Sequence, residues 1–395
     1  MNRTEENKVQ RVKKEILEGK RTDLLILITT ICLCGYGLVM VCSASYYDCS
    51  MSEDCGYDPL YLMKRQAIFM IAGIIICAFL WGVGYDWIKK LVFLIYIAGI
   101  ISIVLLLTPL GVNVNGATRW LNLGVRFQVA ELVKASVIIT LSYLVSRYSR
   151  MLKPRWMMLI LWIIGGIPAA MLLVISSDLS STIVILGIIF GISFISTKTV
   201  KEHLEAAGVA VAFAGAYVAK IALNMPEPEK LENMSYRAAR IAAWLDPERY
   251  ASQAGYQVLQ SLYAIGSGGL TGKGLGNSVQ KLGAIPEGQT DMIFSIICEE
   301  LGLLGAIALI SLFVYLLYQI YIVIISSKNI FGSMIAVGVL MHIGVQALIN
   351  FLVNVNAFLN TGIALPFISY GGTAVFILLC EMGLVLSISR RGKVR

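Results

Sequence analysis

IGSGGLTGKGLGNSVQKLGAIPEGQTDMIFSIICEELGLLG, Ile265 to Gly305, runs from a glycine-rich cationic loop directly into an apolar helix with acids near its start. A junction of this kind places polar chemistry at a membrane surface. Gly266, Gly268, Gly269, Gly272, Gly274 and Gly276 permit close backbone approach, and Lys273, Gln280 and Lys281 are donors. Pro286 and Glu287 then lead to Thr290 and Asp291, where water gives way to hydrocarbon. An acid at a helix start can be a cap that complements the helix dipole, worth roughly 0.3–1 kcal/mol. The chemical alternative is that a carboxylate beside cations suits a phosphate-bearing substrate that must also lose a proton. The loop is not a nucleotide P-loop, because GGLTGKG lacks that spacing and has no Ser or Thr after Lys273.

The remaining sequence is consistent with a membrane setting. Of 395 residues, 57% are hydrophobic and 14% charged, and the mean hydropathy is +0.77, which excludes an ordinary soluble domain. Apolar runs near 24–43, 66–83, 91–110, 129–146, 156–175, 180–197, 203–222, 292–325, 332–353 and 367–388 predict an all-α polytopic protein of ten membrane helices. The net charge of +8 marks topology and not a nucleic-acid partner: 20 of the 32 Lys and Arg fall in alternate segments on one side. The positive-inside rule then puts both termini in the cytoplasm and Asp291 outside. The expected organisation is a basic tail (1–23), a membrane domain (24–388) with a large outer loop (223–290), and a second basic tail (389–395). Six of eight cysteines lie in apolar helices, whereas Cys49 and Cys55 share the first outer loop and are a candidate disulfide. Only His203 and His342 are present, and neither has a Cys or His cluster near it, which argues against structural zinc.

GKGLGNSVQKLGAIPEGQTDMIFSIICEELGLLG, together with LPFISYGGT (Leu365 to Thr373), resembles the SEDS family of bacterial cell-wall synthesis, the FtsW, RodA and SpoVE group, over nearly the whole chain. NSVQK and NTGIALPFISYGG are most similar to the division and sporulation branch. The resemblance implies a peptidoglycan glycosyltransferase that polymerises lipid II at the outer face of the bacterial plasma membrane, at the division septum, with Asp291 as general base. It also implies a class B penicillin-binding protein and other division proteins as partners, and a divalent cation, magnesium or manganese, as an aid to the leaving group.

Other segments carry secondary candidates. In Thr108 to Lys134, Trp120 and its neighbours form an amphipathic interfacial piece with Arg119, and Glu131 and Lys134 follow at i, i+3. That pair reads either as mutual neutralisation or as a substrate contact. The segment resembles the family's GAxRW and FQPSE motifs, although Val129 and Ala130 replace Pro-Ser. Asp178, in VISSDLSST, reads locally as a cap and by resemblance as a site residue. In the outer loop, helices are expected over Leu231–Leu245 and Gln253–Ile265. Arg237 and Arg240 lie on one face of the first, either solvated or facing phosphate. Glu299 and Glu300 are too costly to face lipid, so at least one points inward. NAFLNTGIALPFISYGGTAV (Asn356 to Val375) reads as a broken segment buried in protein or lining a cavity. Lys273, Gln280, Lys281, Glu287, Glu300 and Ser369 complete the set of expected substrate contacts. Two other readings fit the composition: a carrier that flips a lipid-linked precursor, and a non-catalytic scaffold of the division machinery.

Overall fold

The computed structural model describes the backbone except residues 1–2, 115–116, 198–199, 226, 229–235, 253–254, 284 and 392–395. Side chains are described except at those positions and at 3–21, 114, 210, 213, 236–237 and 391.

Long apolar runs become helices because a backbone in hydrocarbon must satisfy its own polar groups. The elements are α1 (Arg3–Met51), α2 (Tyr61–Val83), α3 (Val92–Leu105), β1 (Gly111–Val114), β2 (Ala117–Asn122), β3 (Arg126–Gln128), α4 (Val129–Tyr148), α5 (Pro154–Ile175), α6 (Leu179–Thr197), α7 (Val200–Leu223), α8 (Tyr236–Leu245), α9 (Tyr256–Gly268), α10 (Ile293–Ser326), α11 (Ile330–Asn354) and α12 (Gly372–Arg391). Among the described residues nine helices are long and apolar enough to cross a membrane. The tenth expected span, α3, has 14 helical residues, or about 21 Å at 1.5 Å per residue, so turns on either side must complete it. The helical part of α1 runs eight residues past the expected end, and α12 starts five residues later than expected, after an irregular stretch.

Helices α4, α11 and α12 are the most enclosed, whereas α7 is almost wholly exposed. Small residues allow the close packing at the centre: Gly383 of α12 lies against the backbone of Cys77 in α2, and Gly191 of α6 lies against Met341 in α11. The GxxxG of Gly187 and Gly191 is thus a packing device.

The stretch after α3 is a three-stranded antiparallel sheet ordered β1-β2-β3. Val112 pairs with Trp120, and Trp120 pairs with Gln128. Sequence reading treated it only as an interfacial piece. The overlooked signal was Asn115–Gly116 between Val114 and Ala117, a dipeptide strongly favoured at two-residue hairpin turns.

In the loop between α7 and α10, α8 packs on α7 through Ile221, Ala238, Ile241, Ala242 and Tyr250, and α9 packs on α10. The first loop helix is described from Tyr236, so its expected start at Leu231 falls outside the described residues, and the second runs from Tyr256 to Gly268.

Candidate active site

Helix α10 is broken at Gly302 (φ 65°, ψ −166°), and the glycine-rich loop fills the break. Lys273 N and Gly274 N donate to the carbonyls of Glu299 and Glu300 at 2.9 Å each, while Leu303 N and Leu304 N donate to the carbonyls of Gly269 and Leu270 at 3.0 and 3.2 Å. The loop glycines therefore serve a backbone-to-backbone splice that satisfies helix groups stranded by the break.

Side chains reinforce the splice. Glu299 and Glu300 are fully buried. Glu299 accepts from Lys273 Nζ at 2.7 Å, Ser278 Oγ, and the amides of Val279 and Gln280. Glu300 accepts from Lys281 Nζ at 2.7 Å and from Ser43 Oγ of α1 at 2.8 Å. Lys273 and Lys281 are thus ion-paired beneath the loop.

Asp291 lies just before α10 and is 7% exposed. Its backbone carbonyl accepts from Asn350 Nδ2 and Asn354 Nδ2 of α11 at 2.9 and 3.0 Å. Gln257 of α9 donates to its carboxylate Oδ1 at 3.4 Å and to the Pro286 carbonyl at 2.9 Å. Asn360 donates back to Gln257 Oε1 at 2.8 Å, and Arg240 Nη1 donates to the Asn360 carbonyl at 2.8 Å. Gly362 closes the group: a Cβ built on it would stand 3.7 Å from Asp291 Oδ2 and 3.9 Å from Arg240 Nη1. Burial pushes the Asp291 carboxyl up to about 7, with Arg240 opposing the rise and Glu287 adding to it. A carboxyl balanced near neutrality can take a proton and release it again.

The other expected residues divide by position. Glu287 is exposed and accepts from Thr290 Oγ1 at 3.1 Å. Arg119, on β2, has a buried Nε with no hydrogen-bond partner among the described residues. Gln280 has an Oε1 in the same condition. Glu131 and Lys134 bond each other at 2.6 Å, buried within the bundle. Asp178 accepts from Ser181 N and Oγ at 3.0 and 2.8 Å, capping α6. The neighbouring Ser180 Oγ donates to the Thr361 carbonyl. Ser369 Oγ accepts from Leu365 N at 2.7 Å and shapes the turn before α12. The side chain of Arg237 lies outside the described residues. Cys49 and Cys55 are free thiols with sulfurs 3.2 Å apart.

Sequence reading did not pick out Asn350, Asn354, Asn360, Gln346 or Glu381, and it named His342 only in arguing against zinc. For α11 the signal was present: His342, Gln346, Asn350 and Asn354 recur every four residues and form one polar face on an apolar helix.

Among the described residues, no three His, Cys, Asp or Glu side chains converge to hold a metal ion. Asp291 with Glu287 could contribute two carboxylates, so a divalent cation there would depend on substrate phosphates for its remaining ligands. A cavity of about 670 Å³ lies away from Asp291, between α1 and the loop, against Leu38, Ser43, Tyr46, Met63, Leu275 and Lys281. Its walls are mainly apolar and suit hydrocarbon.

The fold and site define a multi-pass membrane protein that presents a buried carboxyl, flanked by an arginine, where the polar loop between α7 and α10 meets the bundle. Residues 23–394 match the family described as "Cell cycle protein" (FTSW_RODA_SPOVE). The chain is 32% identical over 379 residues to the probable peptidoglycan glycosyltransferase FtsW of Thioalkalivibrio sulfidiphilus, covering 94% of this chain and 90% of that one. It is 34% identical over 376 residues to the protein of the same description from Hahella chejuensis, covering 93% and 89%. The fold is similar to a chain in a solved structure described as "Structural coordination of polymerization and crosslinking by a peptidoglycan synthase complex" (TM-score 0.73, 22% identity, 94% and 98% coverage). It is also similar to the rod shape determining protein RodA of Thermus thermophilus (TM-score 0.59, 22% identity, 92% and 95% coverage). This chain belongs to the FtsW/RodA/SpoVE family.

Proposed function

We propose that the protein is a peptidoglycan glycosyltransferase that polymerises lipid II at the outer face of the bacterial plasma membrane during cell division, with Asp291 as general base. The observation that carries this is the Asp291 carboxyl, buried, raised to about 7, and gripped at its carbonyl and at Oδ1 while Oδ2 faces the Gly362 turn. The family supports the reaction class.

Asp291 takes the proton from the acceptor sugar hydroxyl. That oxygen bonds to the anomeric carbon of the donor as the bond from that carbon to the pyrophosphate oxygen breaks, and undecaprenyl pyrophosphate departs with the bonding pair. An α-linked donor and a β-linked glycan make this one inverting displacement. To the leaving diphosphate this reading assigns Arg240, beside Asp291, and Arg119, whose Nε has no hydrogen-bond partner among the described residues. Lys273 and Lys281 act one step removed, by fixing the loop through Glu299 and Glu300. The apolar cavity between α1 and the loop takes the prenyl chain. A class B penicillin-binding protein is the cross-linking partner, and the division septum is the place of action.

The test is purified full chain in vesicles given lipid II on the outer leaflet. Wild type makes polymer and Asp291→Asn makes none. Polymer from Asp291→Asn rejects the base assignment, and transbilayer movement of lipid II without any polymer favours a carrier instead.

A further inference from the structure

The polar face of α11 does not end at Asp291. It continues for three turns to a cluster of ionisable groups in the middle of the bundle that the proposed chemistry does not use. His342 Nδ1 lies 2.8 Å from Glu381 Oε2 of α12, and Nε2 lies 3.1 Å from Gln346 Oε1 and 3.5 Å from Glu131 Oε2 of α4. All three residues that face the ring are buried, as is the ring itself.

The orientation of Gln346 is fixed by its neighbours. Its Oε1 accepts from Lys134 Nζ at 2.6 Å, and its Nε2 donates to the Ala364 carbonyl at 3.0 Å. Reversing the amide would set an NH₂ against an ammonium and a carbonyl against a carbonyl. Gln346 Oε1 is therefore an acceptor toward His342 Nε2. On the other side of the ring stands a carboxylate, and a second carboxylate oxygen, Glu131 Oε2, has no hydrogen bond and faces Nε2. An imidazole carrying protons on both nitrogens satisfies every one of these contacts and also balances charge: Glu131 and Glu381 against Lys134 and His342. Among the described residues no other charged side chain pairs with these four. α6 and α9 contain none, and the acids of α10, Glu299 and Glu300, are paired with Lys273 and Lys281.

The cluster is tied to Asp291 by side chains of one helix. Gln346 holds the Ala364 carbonyl, Asn350 holds both the Ile363 carbonyl and the Asp291 carbonyl, and Asn354 holds the Asp291 carbonyl again. The 360–364 segment so gripped contains Gly362, where a Cβ would stand 3.7 Å from Asp291 Oδ2, and Asn360, which holds the Gln257 that donates to Oδ1.

We propose that His342 is a positioning residue, held as an imidazolium between Glu131 and Glu381, and that this ion cluster fixes, through Gln346, the 360–364 backbone against Asp291. The activity part of this inference rests on the polymerase reading above; the charge state does not.

Two measurements test it. The chain has two histidines, so ¹⁵N-histidine labelling of the full protein in lipid nanodiscs gives two ring systems, and His203→Gln identifies that of His342. At about pH 8, where a free imidazole is largely neutral, both His342 nitrogens are expected to be protonated. One unprotonated ring nitrogen, as in a neutral imidazole bonded to a protonated Glu381, overturns the charge state. In the polymer assay, His342→Gln is expected to lower kcat about tenfold with KM unchanged, and adding Glu381→Gln, which restores neutrality, to recover most of the loss in both kcat and Tm. A role in packing alone predicts that the double variant is no better than the single, and that result, or wild-type kcat in His342→Gln, overturns the positioning role. A wild-type protein that makes no polymer sinks the polymerase reading, while the NMR result and the recovery of Tm still judge the cluster.

Discussion

Gly302 of α10 and Gly272 of the loop meet backbone to backbone: a Cβ on Gly302 would stand 2.3 Å from Gly272 N, and one on Gly272 would stand 2.2 Å from the Glu300 carbonyl oxygen. Both glycines have positive φ, 65° and 77°, which a side chain disfavours by roughly 1–2 kcal/mol before any clash is counted. Gly302→Ala must therefore push the loop out of the helix break. The expected outcome is a fall in thermal stability of more than about 2 kcal/mol and loss of polymer formation. Unfolding followed by intrinsic tryptophan fluorescence checks it.

Asp291 makes two pH predictions. As a base it works only when ionised, so polymer formation should rise with pH through about 7 and level off above it. Its effect on stability has the opposite direction. The folded carboxyl holds its proton up to about 7, whereas the unfolded one releases it near 3.8, so folding stability is lost as pH rises through that window. At about 1.4 kcal/mol per pH unit this reaches about 4 kcal/mol. Asp291→Asn, which cannot ionise, should be inactive yet more stable than wild type at pH 7.5, with the difference vanishing near pH 4. Equal melting curves of the two proteins at pH 7.5 would contradict the buried, raised carboxyl.

Gln257 spans three partners, the Asp291 carboxylate, the Pro286 carbonyl and Asn360. Gln257→Ala frees Oδ1 and loosens both loop and broken segment. A loss of about ten- to a hundredfold in kcat is expected, because a base displaced by about 1 Å loses its alignment. Steady-state kinetics with KM resolved from kcat measures it.

Lys281 and Glu300 form a buried pair with side chains 6% and 0% exposed. Removing one partner leaves an unpaired buried charge, so Lys281→Met should cost about 3–5 kcal/mol. Lys281→Met with Glu300→Gln should regain most of that stability, and activity with it. A double variant that is stable but inactive would instead place Lys281 on the substrate.

The reach of the sequence differs between these residues. Asp291 was legible because its signal is local: a lone acid at the start of a long apolar run, after a cationic loop. The splice at Gly302 was not. The glycines were read as allowing close backbone approach, without saying to what; Gly268 and Gly272 make room for the backbone of α10, and no periodicity announces a break whose partner lies 30 residues earlier. Asp178 had two readings from the start, and the local one, a cap, describes its contacts. The hairpin β1–β2 carried its own marker in Asn115–Gly116. The polar face of α11 also did, but four polar residues spaced by four become a feature only when read together.

By itself the sequence determined the all-helical membrane architecture, the large loop before α10 and the position of the acid. Those depend on hydropathy and helix length, which are summed along neighbouring residues. Only the tertiary structure decided which polar partner answers each charge. Ser43 and Glu300 meet across 257 residues, Lys134 and Gln346 across 212, and Arg240 reaches the carbonyl of Asn360 across 120. A buried ion must have a partner, and packing of distant helices chooses it.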